Sequence, residues 1–413
     1  MAEGKAEGAP ERIDTVVIGA GQAGLAASWC LTRRGIEHVV LERGRVGETW
    51  RSERWDGFYL NTPNWTLQLP GFPYNGPDPD AFASLRETIT YLERYAKSFG
   101  APVRERTPVE RVRRDGGGPF LVETSAGSLS ARRVIVAAGA YQRPTPTPLA
   151  RRLPPEIASL HTSEYRRPSQ LPGGAVAIIG SGQSGCQIAE ELLLAGRRVY
   201  LAVGRCPWLP RRYRGRELMR WMIDAGLADQ TVDTLPSPAA RLGCNVPVSG
   251  NEGGHDCNPR WLARHGAVLM GRVEAIEGTL LRLGEGLGQN LAAGDEFVAG
   301  FRKLADGVAA ASHLELPDPE PVDEPVASPE LRELDLREAG VAAVIWANGF
   351  RPDHAWIDGV EHDAQGWPVH ERGVSPVPGL YFVGLHWLHK RKSALLMGVG
   401  EDAEHVVTTL ANN

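Results

Sequence analysis

Cysteine is scarce in this chain: Cys30, Cys186, Cys206, Cys244 and Cys257 are five in 413 residues, odd in number and widely spaced. That pattern excludes a dense disulfide scaffold and offers no zinc-site spacing, so the expected setting is a reducing cytoplasm. There is no C-x-x-C pair. Charge of one sign is missing too. Forty-five basic residues face 50 acidic ones, net −5, which leaves no electrostatic footprint for nucleic acid and no polybasic membrane patch. No apolar run approaches the length of a membrane-spanning helix. Residues 1–14 are charged rather than apolar, so they read as a disordered tail and not as a secretory signal.

Glycine is abundant, with 48 residues alongside 31 prolines. Because 42% of the chain is apolar and 23% charged, the composition is that of a folded protein, and the glycines must serve turns and close backbone approaches. The length predicts two domains.

Two segments repeat at an offset of 161 residues: Gly19-Ala-Gly21-Gln22-Ala23-Gly24 and Gly180-Ser181-Gly182-Gln183-Ser184-Gly185. Each follows a β-branched run, Thr15–Ile18 or Val176–Ile179, that reads as a buried parallel strand. Each opens a helical pattern closed by an equivalent glycine, Gly35 or Gly196, before a second strand, His38–Leu41 or Val199–Leu201. At this glycine content one GxGxxG arises by chance about 0.6 times, so a single match would mean little. Two matches in the same strand–helix context define two dinucleotide sites. The first glycine makes the turn, the second admits the pyrophosphate, and the third lets helix and strand pack closely.

The strand ends separate the ligands. Glu42 ends the first unit's second strand and can accept hydrogen bonds from a ribose diol. Its counterpart is Val203, followed by Arg205, with Arg211 and Arg212 nearby, which suits a 2′-phosphate. The first unit therefore reads as an FAD site and the second as an NADPH site. A helix is expected from Phe82 to Phe99, then strands near Val109–Arg113, Phe120–Glu123 and Arg133–Ala137. The prolines between Pro144 and Pro155 mark a linker, and the acidic, proline-rich stretch 315–330 marks a return linker. The expected fold is α/β: two Rossmann-like domains, each a three-layer parallel sheet. Residues 15–150 and 334–413 form a discontinuous FAD-binding domain. Residues 156–333 form the inserted NADPH-binding domain, with an extra helical and loop segment at 212–258.

The chain resembles the flavin-containing monooxygenases, including the CzcO-like and YUCCA-type flavoproteins, over nearly its whole length. His161-Thr-Ser-Glu-Tyr165 is similar to the second half of that family's linker fingerprint, although Pro155 and Ile157 replace the Phe and Gly of its first half. Asn61-Thr-Pro63 resembles the flavin-facing Asn loop, and Trp346-Ala-Asn348-Gly349-Phe350 the A-T-G-Y segment. Gly379 to Gly384 resembles the closing flavin strand, and Ser393 to Ala403 the C-terminal end. The resemblance implies that FAD is held by Arg43, Trp50, Arg51, Asn61, Ala138, Gly139, Gly384 and Leu395 besides the first glycine turn and Glu42. It adds Asn348 and Gly349 to the NADPH set and makes Asn61 the catalytic residue. It implies NADPH-dependent formation of a C4a-(hydro)peroxyflavin and transfer of one oxygen atom to a small organic substrate, by N- or S-oxygenation. Baeyer–Villiger chemistry or oxidative decarboxylation of a 2-oxo acid are the alternatives, and an uncoupled NADPH oxidase or a redox-sensing flavoprotein is the rival of another class. A disulfide reductase is set aside because no redox cysteine pair follows the first unit. O2 and the small substrate are the expected partners, with no metal, nucleic acid or membrane, and the chain is expected to be a monomer or homodimer. His255-Asp-Cys257, the run His389 to Lys392, and Leu218, Trp221 and Met222 read as a polar loop, a solvated basic loop and a helix's apolar face.

Overall fold

The structure is a computed structural model describing residues 9–145, 147–243, 245–321 and 328–413. Residues 1–8 of the expected tail, Pro146, Cys244, and 322–327 of the expected return linker lie outside the described residues. The rest of that tail is not loose: Glu11 to Asp14 already belong to the first strand, β1 (Glu11–Ile18).

From β1 the chain turns through the first glycine motif into α1 (Gln22–Arg33), β2 (His38–Leu41) and the short α2 (Glu48–Ser52). It continues through α3 (Leu85–Ser98), β3 (Val103–Arg104), β4 (Val109–Arg114), β5 (Phe120–Thr124) and β6 (Gly127–Val136). The helix α3 starts three residues later than the pattern predicts, because Ser84 caps it. The Ser84 hydroxyl accepts from the Glu87 amide while the Glu87 carboxylate accepts from the Ser84 amide, a reciprocal capping box. The sheet order is β3-β2-β1-β6-β5-β4. It is parallel from β3 to β6, whereas β4, β5 and β6 run antiparallel, so the expectation of a wholly parallel first sheet is corrected.

The second unit runs through β7 (Ala158–His161), β8 (Ala175–Ile179), α4 (Gln183–Leu194), β9 (Val199–Ala202), α5 (Leu218–Asp224), α6 (Pro259–Arg264) and β10 (Val268–Met270). Then come β11 (Val273–Glu277), β12 (Leu280–Leu283), the long α7 (Leu287–Ala311), β13 (Glu333–Asp335) and β14 (Val341–Trp346). The strands β7-β14-β8-β9-β10 form one parallel sheet. Its two faces are both buried: Val176, Ile178, Val199 and Leu201 pack toward α4, while Ala177, Tyr200, Ala202 and Met270 pack on the antiparallel β11-β12-β13 layer. That double burial is why these strands read as unbroken apolar runs.

One boundary moves. The chain does not re-enter the first domain at 334, since β13 pairs with β12 and β14 sits in the middle of the second sheet between β7 and β8. The return comes after Trp346, where Phe350–Arg351 pairs antiparallel with Arg143–Pro144 and lays the two crossings side by side. The returning strand β15 (Leu380–Phe382) adds to the end of β6, and α8 (Val399–Asn412) packs on α1.

His354, 2% exposed just beyond the crossing, is pushed down to about 4 by burial and by neighbouring His362. Its folded-state value lies below its unfolded one, so protonation favours unfolding. Stability is therefore expected to fall as pH drops from about 6.5 towards 4, by about 1.4 kcal/mol per pH unit for this group. A His354→Leu variant should show a shallower loss when thermal midpoints are followed across that window; an unchanged slope would contradict the assignment.

Candidate active site

The two glycine turns have the same geometry. Gly19 and Gly180 take φ values of +105° and +118°, a region that favours glycine. A Cβ on Gly24 would stand 1.8 Å from the Gly19 carbonyl oxygen, and one on Gly185 would stand 2.0 Å from that of Gly180. These third glycines thus permit the close helix–strand contact expected of them. Gly21 and Gly182 cap α1 and α4 in extended conformations with no side-chain cap, so the first-turn amides of both helices are left for a ligand. At Gly21 a Cβ would meet nothing within 4 Å: the turn opens into empty space.

That space is one continuous cavity of about 1280 Å³, larger than the roughly 300–1,000 Å³ of an ordinary ligand pocket. It runs between the ends of the parallel strands of the two sheets. Gly19, Gly21, Gln22, Ala23, Glu42, Arg43, Trp50, Asn61, Ala138, Gly139, Gly384 and Leu395 line it from the first domain. Gly180, Ser181, Gly182, Gln183, Ser184, Gly185, Arg205, Asn348 and Gly349 line it from the second. Gly24 lies behind the turn, as a packing glycine should.

Glu42 is buried at the end of β2, its two carboxylate oxygens accepting from the Ala20 amide at 2.7 Å and the Gly44 amide at 2.9 Å. Each oxygen keeps further acceptor capacity toward the cavity. Val203 occupies the equivalent place in the second domain, fully buried, with exposed Arg205 beside it. These donor sets fit an adenosine ribose at the first site and a 2′-phosphate at the second.

Two expected ligand contacts are corrected. Arg51 turns away from the cavity, donating to the Val46 carbonyl at 3.1 Å and pairing with Glu93 on α3. Arg211 is 1% exposed and structural. Its guanidinium donates at 2.9 Å to each of the Glu217 carboxylate, the Asn61 carbonyl and the Ser249 carbonyl, and lies 4.6 Å over the Phe82 ring. It cannot also reach a nucleotide phosphate. It ties the segment 212–258 to the Asn61 loop, and a Cβ on Gly250 would come within 1.9 Å of the Leu60 carbonyl oxygen. That segment therefore braces the back of the Asn61 loop, while Asn61 itself lines the cavity.

The remaining clusters are structural. Glu190 binds His255 at 2.6 Å and Ser249 at 3.1 Å, and Asp256 accepts from the Arg211 amide. No group able to hold a metal ion occurs among the described residues. Lys390 and Lys392 share Asp229 and Glu401 at 2.5–2.9 Å, so both lysines of the basic loop are neutralised within the fold. Leu218, Trp221 and Met222 belong to a core under α7. Cys206 is disulfide-bonded, which the expectation of a reducing setting did not anticipate; Cys30, Cys186 and Cys257 are free and buried. Cys206 sits beside Arg205 in the wall of the cavity.

Three cavity residues were not legible as site residues. The Arg54 guanidinium lies 5.5 Å from the Trp50 ring and 5.7 Å from that of Tyr141. Among the described residues no carboxylate pairs with it, and burial lowers its pKa, although a guanidinium stays charged. His386 meets the Tyr141 ring edge-on at 4.8 Å and is pushed down to about 4 by burial, so it is neutral at pH 7.

Sequence and structure comparisons agree with this geometry. The pyridine nucleotide-disulphide oxidoreductase family matches residues 16–225. The "Uncharacterized oxidoreductase CzcO-like" of Geobacillus kaustophilus is 32% identical over 97% of this chain and 99% of its own. The indole-3-pyruvate monooxygenase YUCCA1 of rice is 31% identical over 58% and 59% of the two chains. Among solved structures, the flavin-containing monooxygenase of Stenotrophomonas maltophilia shares the fold with a TM-score of 0.65, at 23% identity over 97% of this chain and 99% of that one. The description of the matched family names a pyridine nucleotide, the class of ligand that a glycine turn at a helix start suits. With its two glycine turns opening into a single cavity, the chain belongs to the pyridine nucleotide-disulphide oxidoreductases as a CzcO-like oxidoreductase.

Proposed function

We propose that this protein uses NADPH and O2 to place one oxygen atom on a nitrogen or sulfur atom of a small organic substrate, releasing the other oxygen as water and NADP+ as co-product. The observation that carries this reading is the single cavity shared by both glycine turns, lined by Asn61 and with no redox cysteine pair beside the first unit. Bound FAD supplies the oxygen-activating chemistry and NADPH the reducing equivalents. The chain's own residues bind and orient. Glu42 and the α1 amides anchor one dinucleotide; Arg205 and the α4 amides anchor the other. Asn61 offers a neutral amide that donates and accepts without changing charge. Its loop is held from behind by Arg211, and Trp50, Trp55 and Phe58 wall the cavity with apolar surface that limits water.

Arg205 is the residue that should choose the cofactor. Arg205→Ala is expected to lower kcat/KM for NADPH about 10- to 100-fold, the loss of a charge-assisted bond, and to leave NADH unaffected; equal losses with both would contradict the role. The reaction is tested by turnover with tertiary amines and thioethers. One oxygenated product per NADPH supports it, and NADPH consumption matched by H2O2 with every substrate would overturn it.

Arg54 favours a second reading, an acidic substrate such as a 2-oxo acid, because an unpaired cation facing a cavity invites a carboxylate. Under that reading Arg54→Ala raises KM for a 2-oxo acid at least about tenfold and leaves KM for a neutral thioether unchanged.

A further inference from the structure

The helix α7 spans 25 residues, about 37 Å, and its inner side is fully engaged. Phe301, Ala305 and Ala309 enter the core, a Cβ on Gly294 would collide with the Trp208 indole, Asp295 pairs with Arg260, and Asp306 pairs with Arg214. Among the described residues nothing covers its outer side. Phe297 is 47% exposed and Leu304 41% exposed. Gly300 and Gly307 leave a shallow apolar groove of about 480 Å³ next to Leu304. The only charges on this outer strip, Glu296 and Lys303, have no ion-pair partner among the described residues. Exposed apolar strips of this kind mark interaction sites.

We propose that α7 is the contact through which two copies of this chain form a two-fold dimer, their α7 helices antiparallel and crossing at Gly300. The occupant follows from the spacing. Glu296 and Lys303 are seven residues apart, as are Phe297 and Leu304, and Gly300 lies between the members of both pairs, three residues from one and four from the other. An antiparallel two-fold brings a residue a turn before Gly300 in one copy beside a residue a turn after it in the other. It also keeps the Phe297/Leu304 edges of both helices on the same side. Glu296 of each copy then meets Lys303 of the other, and Phe297 of each seats against Leu304 of the other, over the groove that Gly300 and Gly307 open. Glycine at the crossing lets the axes approach. A different protein would not need this strip to be complementary to itself in charge, in bulk and in recess at once.

A helix pair of this length gives a contact at the small end of specific interfaces, so a dissociation constant on the order of micromolar is expected. The test is analytical ultracentrifugation of the cofactor-loaded protein with charge-reversed variants. Wild type should be dimeric at about 100 μM, and either Glu296→Lys or Lys303→Glu should weaken the dimer at least about tenfold, because each places like charges opposite one another twice. The double variant E296K/K303E should restore it to within about threefold. Both changes are on solvent, and the double variant also controls for folding. A wild type that stays at the 44.8 kDa chain mass up to that concentration overturns the proposal. So does a dimer indifferent to the single reversals, or one that the double variant fails to restore.

Discussion

Glu42→Ala is expected to yield a protein that folds but purifies without its yellow colour. The carboxylate makes two contacts inside the protein, to the Ala20 and Gly44 amides, and keeps capacity for a ribose diol. Truncation removes the acceptor for the sugar and leaves the buried Ala20 N–H unsatisfied, at about 1–3 kcal/mol for each lost partner. FAD affinity should fall at least about 100-fold, read as the flavin-to-protein absorbance ratio and by fluorescence titration of the apoprotein. Glu42→Gln, which keeps one acceptor oxygen, should fall between. Full flavin retention by the alanine variant would place the adenosine end of FAD elsewhere.

Arg211→Met should produce the largest loss of stability. Burial already raises the pKa of Glu217, against the pull of Arg211, so removing the guanidinium leaves a buried carboxylate without its cation. The Asn61 and Ser249 carbonyls lose their donor as well. Breaking one side of a buried pair costs about 3–5 kcal/mol, a fall in thermal midpoint of roughly 5 °C for a chain of this size. Removing both sides, with Arg211→Met and Glu217→Leu together, should cost much less than Arg211→Met alone, because no buried charge is then orphaned. If the double variant is as unstable as the single one, the stabilisation comes from the Asn61 and Ser249 carbonyl contacts rather than from the ion pair.

The paired units were legible because their determinants are local. A β-branched strand, three glycines and a closing glycine repeat within a few dozen residues, and the geometry of Gly19 and Gly24 reappears at Gly180 and Gly185. The domain boundary was misplaced because a proline-rich acidic stretch looks like a linker wherever it lies, and only strand pairing shows that β14 is central to the second sheet. A signal was present nonetheless. Val134-Ile-Val-Ala-Ala-Gly139 and Val344-Ile-Trp-Ala-Asn-Gly349 repeat the same strand-end pattern. In the fold, Ala137 backs Gly19 as Ala347 backs Gly180, at 2.6 and 2.5 Å from the position of an added Cβ. That second repeat assigns 341–349 to the second unit. Arg211 was misread because a basic residue after a strand end carries no mark of its burial; its partners Glu217, Asn61 and Ser249 lie up to 150 positions away. Arg54 is illegible for the same reason, since its neighbour in the cavity wall, Tyr141, is distant in sequence.

The central claim is oxygen transfer from O2 to an organic substrate, and isotope labelling tests it most directly. Holoenzyme turned over with NADPH and a thioether or tertiary amine under 18O2 should give a product carrying one labelled oxygen atom, with the other label recovered in water. Product whose oxygen derives from unlabelled solvent, or labelled H2O2 in amounts equal to the NADPH consumed, would contradict the account and make the protein an NADPH oxidase built on the same two glycine turns.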